Sequence, residues 1–171
     1  MEDLKVEFSS LYDNNVEKIY RFSLLKVGSK EAAEEITSET FLKAWKFFKK
    51  QGTINRVENT QAFLYKIAGN IVIDYYRKSA KIKTVSIDKF DLPDSIDIHE
   101  NAEIKSDFDN VRAVLATMKE DYQQVIICRH IEGMDIPEIS KIMNKSEGAT
   151  RAILHRALTE LKSKFGEIDE A

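Results

Sequence analysis

One cysteine, three histidines, two prolines and six glycines in 171 residues limit what this chain can be. A single thiol, Cys128, rules out an internal disulfide and any zinc site built on several thiolates, and fits a reducing compartment. His99, His130 and His155 are too scattered for a histidine-based metal site, and neither a metal nor an organic cofactor is expected. No phosphate-binding loop or nucleophile elbow occurs among the few glycines, so an enzymatic role is not expected. Apolar runs fall short of the roughly 20 residues needed to cross a bilayer, and the start "MEDLKVEFSS" is acidic and polar; a cytoplasmic protein without membrane insertion is expected.

The chain does contain abundant charge, unevenly distributed. Formal net charge is -3. Between Tyr65 and Thr84, Lys66, Arg77, Lys78, Lys81 and Lys83 face only Asp74. From Asp88 to Asp109, eight acids meet only Lys89 and Lys105. From Ser140 to Lys164 the balance reverses, with six cations against Glu147 and Glu160. Two basic blocks around an acidic one point to a polyanion partner for the blocks and a solvated or shielding middle.

Helical periodicity prevails, and no alternating pattern bounded by turns supports a strand. The fold is expected to be all-α, with two small helical domains joined by an acidic linker. Expected helices cover a first stretch ending near Gly28, then 30–49 and 61–78, with "QGTINRVENT" between the last two as a loop. Residues 1–80 form the first domain, 81–107 the linker with Pro93, 108–165 the second domain and 166–171 an acidic tail. Helices in the second domain are expected at 109–118, 122–132, 136–143 and 147–164. In "DIPEISKIMNKSEGATRAILHRALTEL", Asp135 and Glu138 form a capping box with Pro137 in the first turn, Asn144 suits a left-handed stop, and Ser146 caps the next helix. Short helix, tight turn and long helix make the plan of a helix-turn-helix, although a plain helical hairpin has the same spacing. At 100° per residue Thr150, Leu154, Ala157, Leu158 and Leu161 share the packing side, and Arg151, His155 and Arg156 the other.

On the 61–78 helix, Lys66, Asn70 and Arg77 fall within about 40° of one another, opposite Leu64, Ala68 and Ile71. Lysine and arginine neutralise phosphates, and asparagine can hydrogen-bond a base edge; Phe63, Tyr65 and Tyr76 offer stacking surfaces, although core packing is the better reading for Tyr65 and Tyr75. Phe41 and Trp45, four apart, read as core by spacing alone, and Glu34, Glu35 and Glu39 as a solvated face.

"RHIEGMDIPEISKIMNKSEGATRAILHRALTELK" resembles the fourth conserved region of bacterial sigma factors of the sigma-70 family, in the extracytoplasmic-function (ECF) group. Glu132, Gly133, Glu138 and Ile139 match, as do Ser146 to Gly148 and Leu154 to Ala157; Thr150 stands where a bulky aliphatic is usual, and Ile153 and Leu158 where basic residues are frequent. "AEEITSETFLKAW" is similar to the segment that docks on the polymerase clamp, with Ser38 in place of glutamine. "AFLYKIAGNIVIDYYRK" looks like the promoter-opening helix, with Phe63 replacing tryptophan and Gly69 a frequent arginine.

The resemblance implies an alternative sigma factor that binds core RNA polymerase and directs promoter recognition, DNA opening and transcription initiation. It implies polymerase contacts at Glu35, Ser38, Glu39, Phe41 and Trp45. It implies DNA contacts at Asn55, Arg56 and Asn59, which would hold an extruded base, at Lys66, Asn70, Arg77 and Lys78, and at Arg151, His155 and Arg156. An anti-sigma factor is an implied partner, and the chain on its own should be a monomer. The alternative is a dimeric helix-turn-helix repressor that uses its first half to dimerise.

Overall fold

The computed structural model describes residues 1–83 and 102–170, with side chains over 1–80 and 107–166. Its seven α-helices are α1 (Glu2–Val27), α2 (Lys30–Gln51), α3 (Thr60–Lys83), α4 (Ala102–Ala116), α5 (Glu120–Ile126), α6 (Ile136–Met143) and α7 (Glu147–Glu170), and no strand occurs among the described residues. They form two compact units, α1–α3 and α4–α7.

Sequence punctuation sets the ends of the first three helices. Gly28 (φ 68°) and Gly52 (φ 75°) take the left-handed conformation that stops α1 and α2, donating their N–H groups to Leu24 and Phe48 carbonyls, both at 2.8 Å. Ser29 starts α2 by accepting the Ala32 N–H at 3.2 Å. Within the unit, Ile19 and Phe22 of α1, Ala33 and Phe48 of α2 and Leu64 and Ala68 of α3 are completely buried. Phe22 meets the Tyr65 ring edge-on at 5.3 Å. Phe8 reaches Phe41, Trp45 and Phe48 with centroids 5.1 to 6.4 Å apart, so aromatic contacts lock α1 to α2. Hydroxyls inside this core are satisfied by their own helices: Ser23, Thr37 and Thr40 donate to carbonyls four residues back at 2.7 Å.

The second unit is built on Leu115, Val125, Ile127, Cys128, Ile139, Thr150 and Ala157, each at most 1% exposed. Cys128 is thus a core residue. α6 carries the expected capping box: Asp135 accepts the Glu138 N–H at 3.0 Å, and Glu138 accepts the Asp135 N–H at 3.1 Å. Asn144 ends it at φ 53°, and Ser146 caps α7 by accepting the Ala149 N–H at 3.1 Å.

Several boundaries differ from the expectations. α3 runs on to Lys83 and α4 starts at Ala102, so both ends of the expected 81–107 linker are helical; 84–101 lie outside the described residues. The spacing of Ile104, Phe108, Val111 and Leu115 is helical, but intervening acids disguise it. The expected 122–132 helix begins at Glu120 and widens into a π turn over Ile127–Ile131, with Glu132 donating to the Ile127 carbonyl at 3.0 Å. α7 continues through Glu170, carrying the acidic tail with it. Leu154 and Leu161 are only half-buried: the small Thr150 and Ala157 occupy the centre of the seam and the leucines its margins.

Because Leu64 is fully buried where α3 meets its neighbours, Leu64→Ala should destabilise the first unit by about 2–5 kcal/mol. Chemical denaturation followed by far-ultraviolet circular dichroism measures this, and a loss under 1 kcal/mol would contradict the packing described.

Candidate nucleic-acid interface

The residues singled out from the sequence fall on three exposed surfaces. On α2, Glu31, Glu34, Glu35, Ser38, Glu39 and Leu42 line a shallow depression. Glu39 pairs with Lys43 at 3.1 Å, an i,i+4 pair half-open to water. Nearby, burial and the Glu34 carboxylate raise the Tyr20 phenol above its ordinary value and keep it protonated. Phe41 does not belong to this surface: it is buried, with Tyr12 against it at 4.7 Å, so it supports the helix from behind. Trp45 is half-buried on Phe8. Leu42, 52% exposed beside the acids, was missed by the sequence reasoning; its place three and four residues after Glu39 and Ser38 was the available signal.

The second surface combines the α2–α3 loop with the outer side of α3. Asn55 and Arg56 are exposed; the Asn55 N–H donates to Thr53 Oγ1 at 3.1 Å and Arg56 Nη1 to Gln51 Oε1 at 2.9 Å. Asn59 has a structural duty that the loop reading overlooked, since its Oδ1 accepts the Ala62 N–H at 2.8 Å and caps α3. Lys66, Asn70, Arg77 and Lys78 are all exposed, with Arg77 3.8 Å from Asp74. Tyr65 is in the core at 1% exposure, as its core reading had it. Tyr75 is half-buried, and Tyr76 donates its hydroxyl to the Lys26 carbonyl. Phe63 lies against Phe47 at 4.9 Å and Phe48 at 5.3 Å. Phe47, 39% exposed and flanked by the exposed Lys46, Lys49 and Lys50, is a further ring the sequence reading passed over.

In the second unit α7 turns Arg151, His155 and Arg156 outward. Arg151 pairs with Glu147 one turn back at 3.5 Å. His155 and Arg156 share a depression with Tyr122, Thr159 and Lys164. Lys164 is tethered to Thr117 Oγ1 at 2.8 Å, and Lys145 in the turn lies 3.8 Å from Asp121 of α5. Among the described residues no group of three His, Cys, Asp or Glu side chains could hold a metal ion, and no helix is long and apolar enough to cross a membrane.

The family model for sigma-70 region 2 matches residues 11–82, and that for sigma-70, region 4 matches 108–161. The ECF RNA polymerase sigma factor BldN of Streptomyces coelicolor is 28% identical over 159 residues, covering 90% of this chain but 58% of BldN, so the chain spans little more than half of that relative. The ECF RNA polymerase sigma factor SigX of Bacillus subtilis is 27% identical, over 91% of this chain and 81% of SigX. Among solved structures, the sigma factor RpoE in complex with the anti-sigma factor NepR from Bartonella quintana has the same fold, with a TM-score of 0.71 at 21% identity over 92% of this chain and 95% of that one. CnrH in complex with the cytosolic domain of CnrY aligns with a TM-score of 0.72 at 17% identity over 95% and 90% of the two chains. With region 2 matched on α1–α3 and region 4 on α4–α7, in that order and across most of its length, this chain belongs to the sigma-70 family and is similar to its ECF members.

Proposed function

We propose that the chain is an alternative sigma factor that binds core RNA polymerase and carries it to promoters, acting by binding alone and not as an enzyme. The observation that carries this reading is the division of α3: Leu64, Ala68 and Ile71 are buried, and the opposite side presents Lys66, Asn70 and Arg77 to solvent. That side has the chemistry to hold phosphates and read a base edge, and it sits in the same chain as a capped helix-turn-helix. Residues 1–80 act as the region that docks on polymerase and opens the minus-ten element, 81–107 as connection, and 108–165 as the minus-thirty-five reader, followed by the acidic tail.

Glu35, Ser38 and Glu39 offer the polymerase an acidic face for basic side chains, with Trp45 behind them. On α7, Arg151 lies nearest the helix start, where side chains reach base edges; its surface pair with Glu147 is worth about 0–1 kcal/mol and yields readily to a guanine edge. His155 and Arg156, farther along, hold phosphate. Asn55 and Arg56 form the polar rim for an extruded base, with Asn59 fixing the loop to α3. Unpaired bases captured there drive melting through binding energy for the single strand. RpoE of Bartonella quintana was solved with an anti-sigma factor, which supports a partner of the same kind here. The chain works in the cytoplasm, monomeric until it meets polymerase. A dimeric repressor would leave the acidic face of α2 and the polar stripe of α3 without a use.

Glu39→Lys should cost at least tenfold in competition for core polymerase while changing stability by no more than about 0.5 kcal/mol, because the position is an exposed surface pair. Equal competition by the variant and the parent would remove α2 from the docking role. Asn70→Ala should lower transcription from a linear duplex promoter far more than from the same promoter with a pre-opened bubble. Equal losses on both templates would place Asn70 outside the opening step.

A further inference from the structure

Among the exposed apolar residues Ile73 stands out for its position. Single exposed apolar side chains are common and need no purpose, but Ile73, 41% exposed, lies at the edge of the polar stripe of α3. At 100° per residue it is about 20° from Lys66 and about 40° from Arg77, and it follows Asn70 by three residues, which places the two side by side. One turn before it is Gly69, where a Cβ would meet nothing within 4 Å. Helical side chains lean toward the amino terminus, so Ile73 leans toward Gly69 and keeps 41% of its surface open. The result is a small apolar step beside a carboxamide, bordered by Lys66 and Arg77. Asp74 shares that side and is held by Arg77 at 3.8 Å.

Resting on the promoter-opening role of α3, we infer that Ile73 is a specificity residue that packs on the C5-methyl group of a thymine in the major groove of duplex promoter DNA, next to an adenine edge read by Asn70. The chemistry is complementary at each point. Asparagine pairs bidentately with adenine N6 and N7, an apolar side chain suits the thymine methyl, and the flanking cations suit the phosphates on either side. Gly69 contributes by omission, since a long side chain there would cover the step.

The test uses the full chain reconstituted with core polymerase. Transcribed templates are selected from a duplex library randomised across the element bordering the opened region, and each thymine of the selected element is then replaced by deoxyuridine, which lacks only the methyl group. Loss of one methyl contact should lower open-complex formation about three- to fourfold at one or two positions. Ile73→Ala should show a similar loss on the thymine template and no further loss with deoxyuridine, whereas Ile73→Val should keep the sensitivity. Selection of a sequence with no deoxyuridine effect, or an Ile73→Ala variant as sensitive as the parent, would overturn the thymine contact and leave the role of α3 standing. Failure of the parent to select any sequence would overturn both.

Discussion

The edge-on contact between Phe22 of α1 and Tyr65 of α3 fixes the element on which the functional reading depends. With the Tyr65 ring held in the core at 5.3 Å from Phe22, and Leu64 and Ala68 buried on either side of it in sequence, α3 cannot rotate about its axis without exposing a large aromatic. The orientation of Lys66, Asn70, Ile73 and Arg77 follows from that constraint. Polar side chains gain little from any single orientation, so the buried ring sets the direction in which they point.

The second unit solves the same problem with fewer large residues. Its seam is centred on Thr150 and Ala157, small enough for α7 to approach α5 and α6 closely, and the Thr150 hydroxyl is satisfied by the Ser146 carbonyl at 2.8 Å. Local hydrogen bonds complement the small core: the Asp135–Glu138 box, the left-handed Asn144 and the Ser146 cap define both ends of the turn between α6 and α7. Caps of this kind contribute about 0.5–2 kcal/mol each, a substantial share for so small a unit. Arg129, donating to the Met134 carbonyl at 2.9 Å, fastens the entry to α6 beside the π turn.

Much of this was legible in the residues. Helices α1, α2 and α6 follow from apolar spacing and strong end signals at Gly28, Gly52, Asp135 and Asn144. The exposed stripe of α3 follows from the angle between residues. What escaped depends on tertiary geometry that spacing does not carry. Spacing alone already read Phe41 as core, and Tyr12 of α1 covers it; that the adjacent Leu42 stays open beside the acids is what spacing did not show. Asn59 looks like any polar loop residue until α3 is seen to begin at Thr60. The π turn at Ile127–Ile131 leaves no mark in an apolar run, because widening a helix by one residue per turn changes the register without changing composition. Ile73, by contrast, lies about 20° from Lys66 around α3, so its exposure was legible in the sequence but was not drawn from it.

The proposed role requires two small helical units in one chain to turn core polymerase jointly into a promoter-specific enzyme. Run-off transcription by purified core polymerase on a pool of genomic fragments from the chain's own host tests it most directly. The account predicts discrete transcripts that require both the chain and core, with the chain present as a monomer before mixing. Transcription no different from that of core alone, from a chain that forms stable two-fold dimers on palindromic DNA, would contradict it.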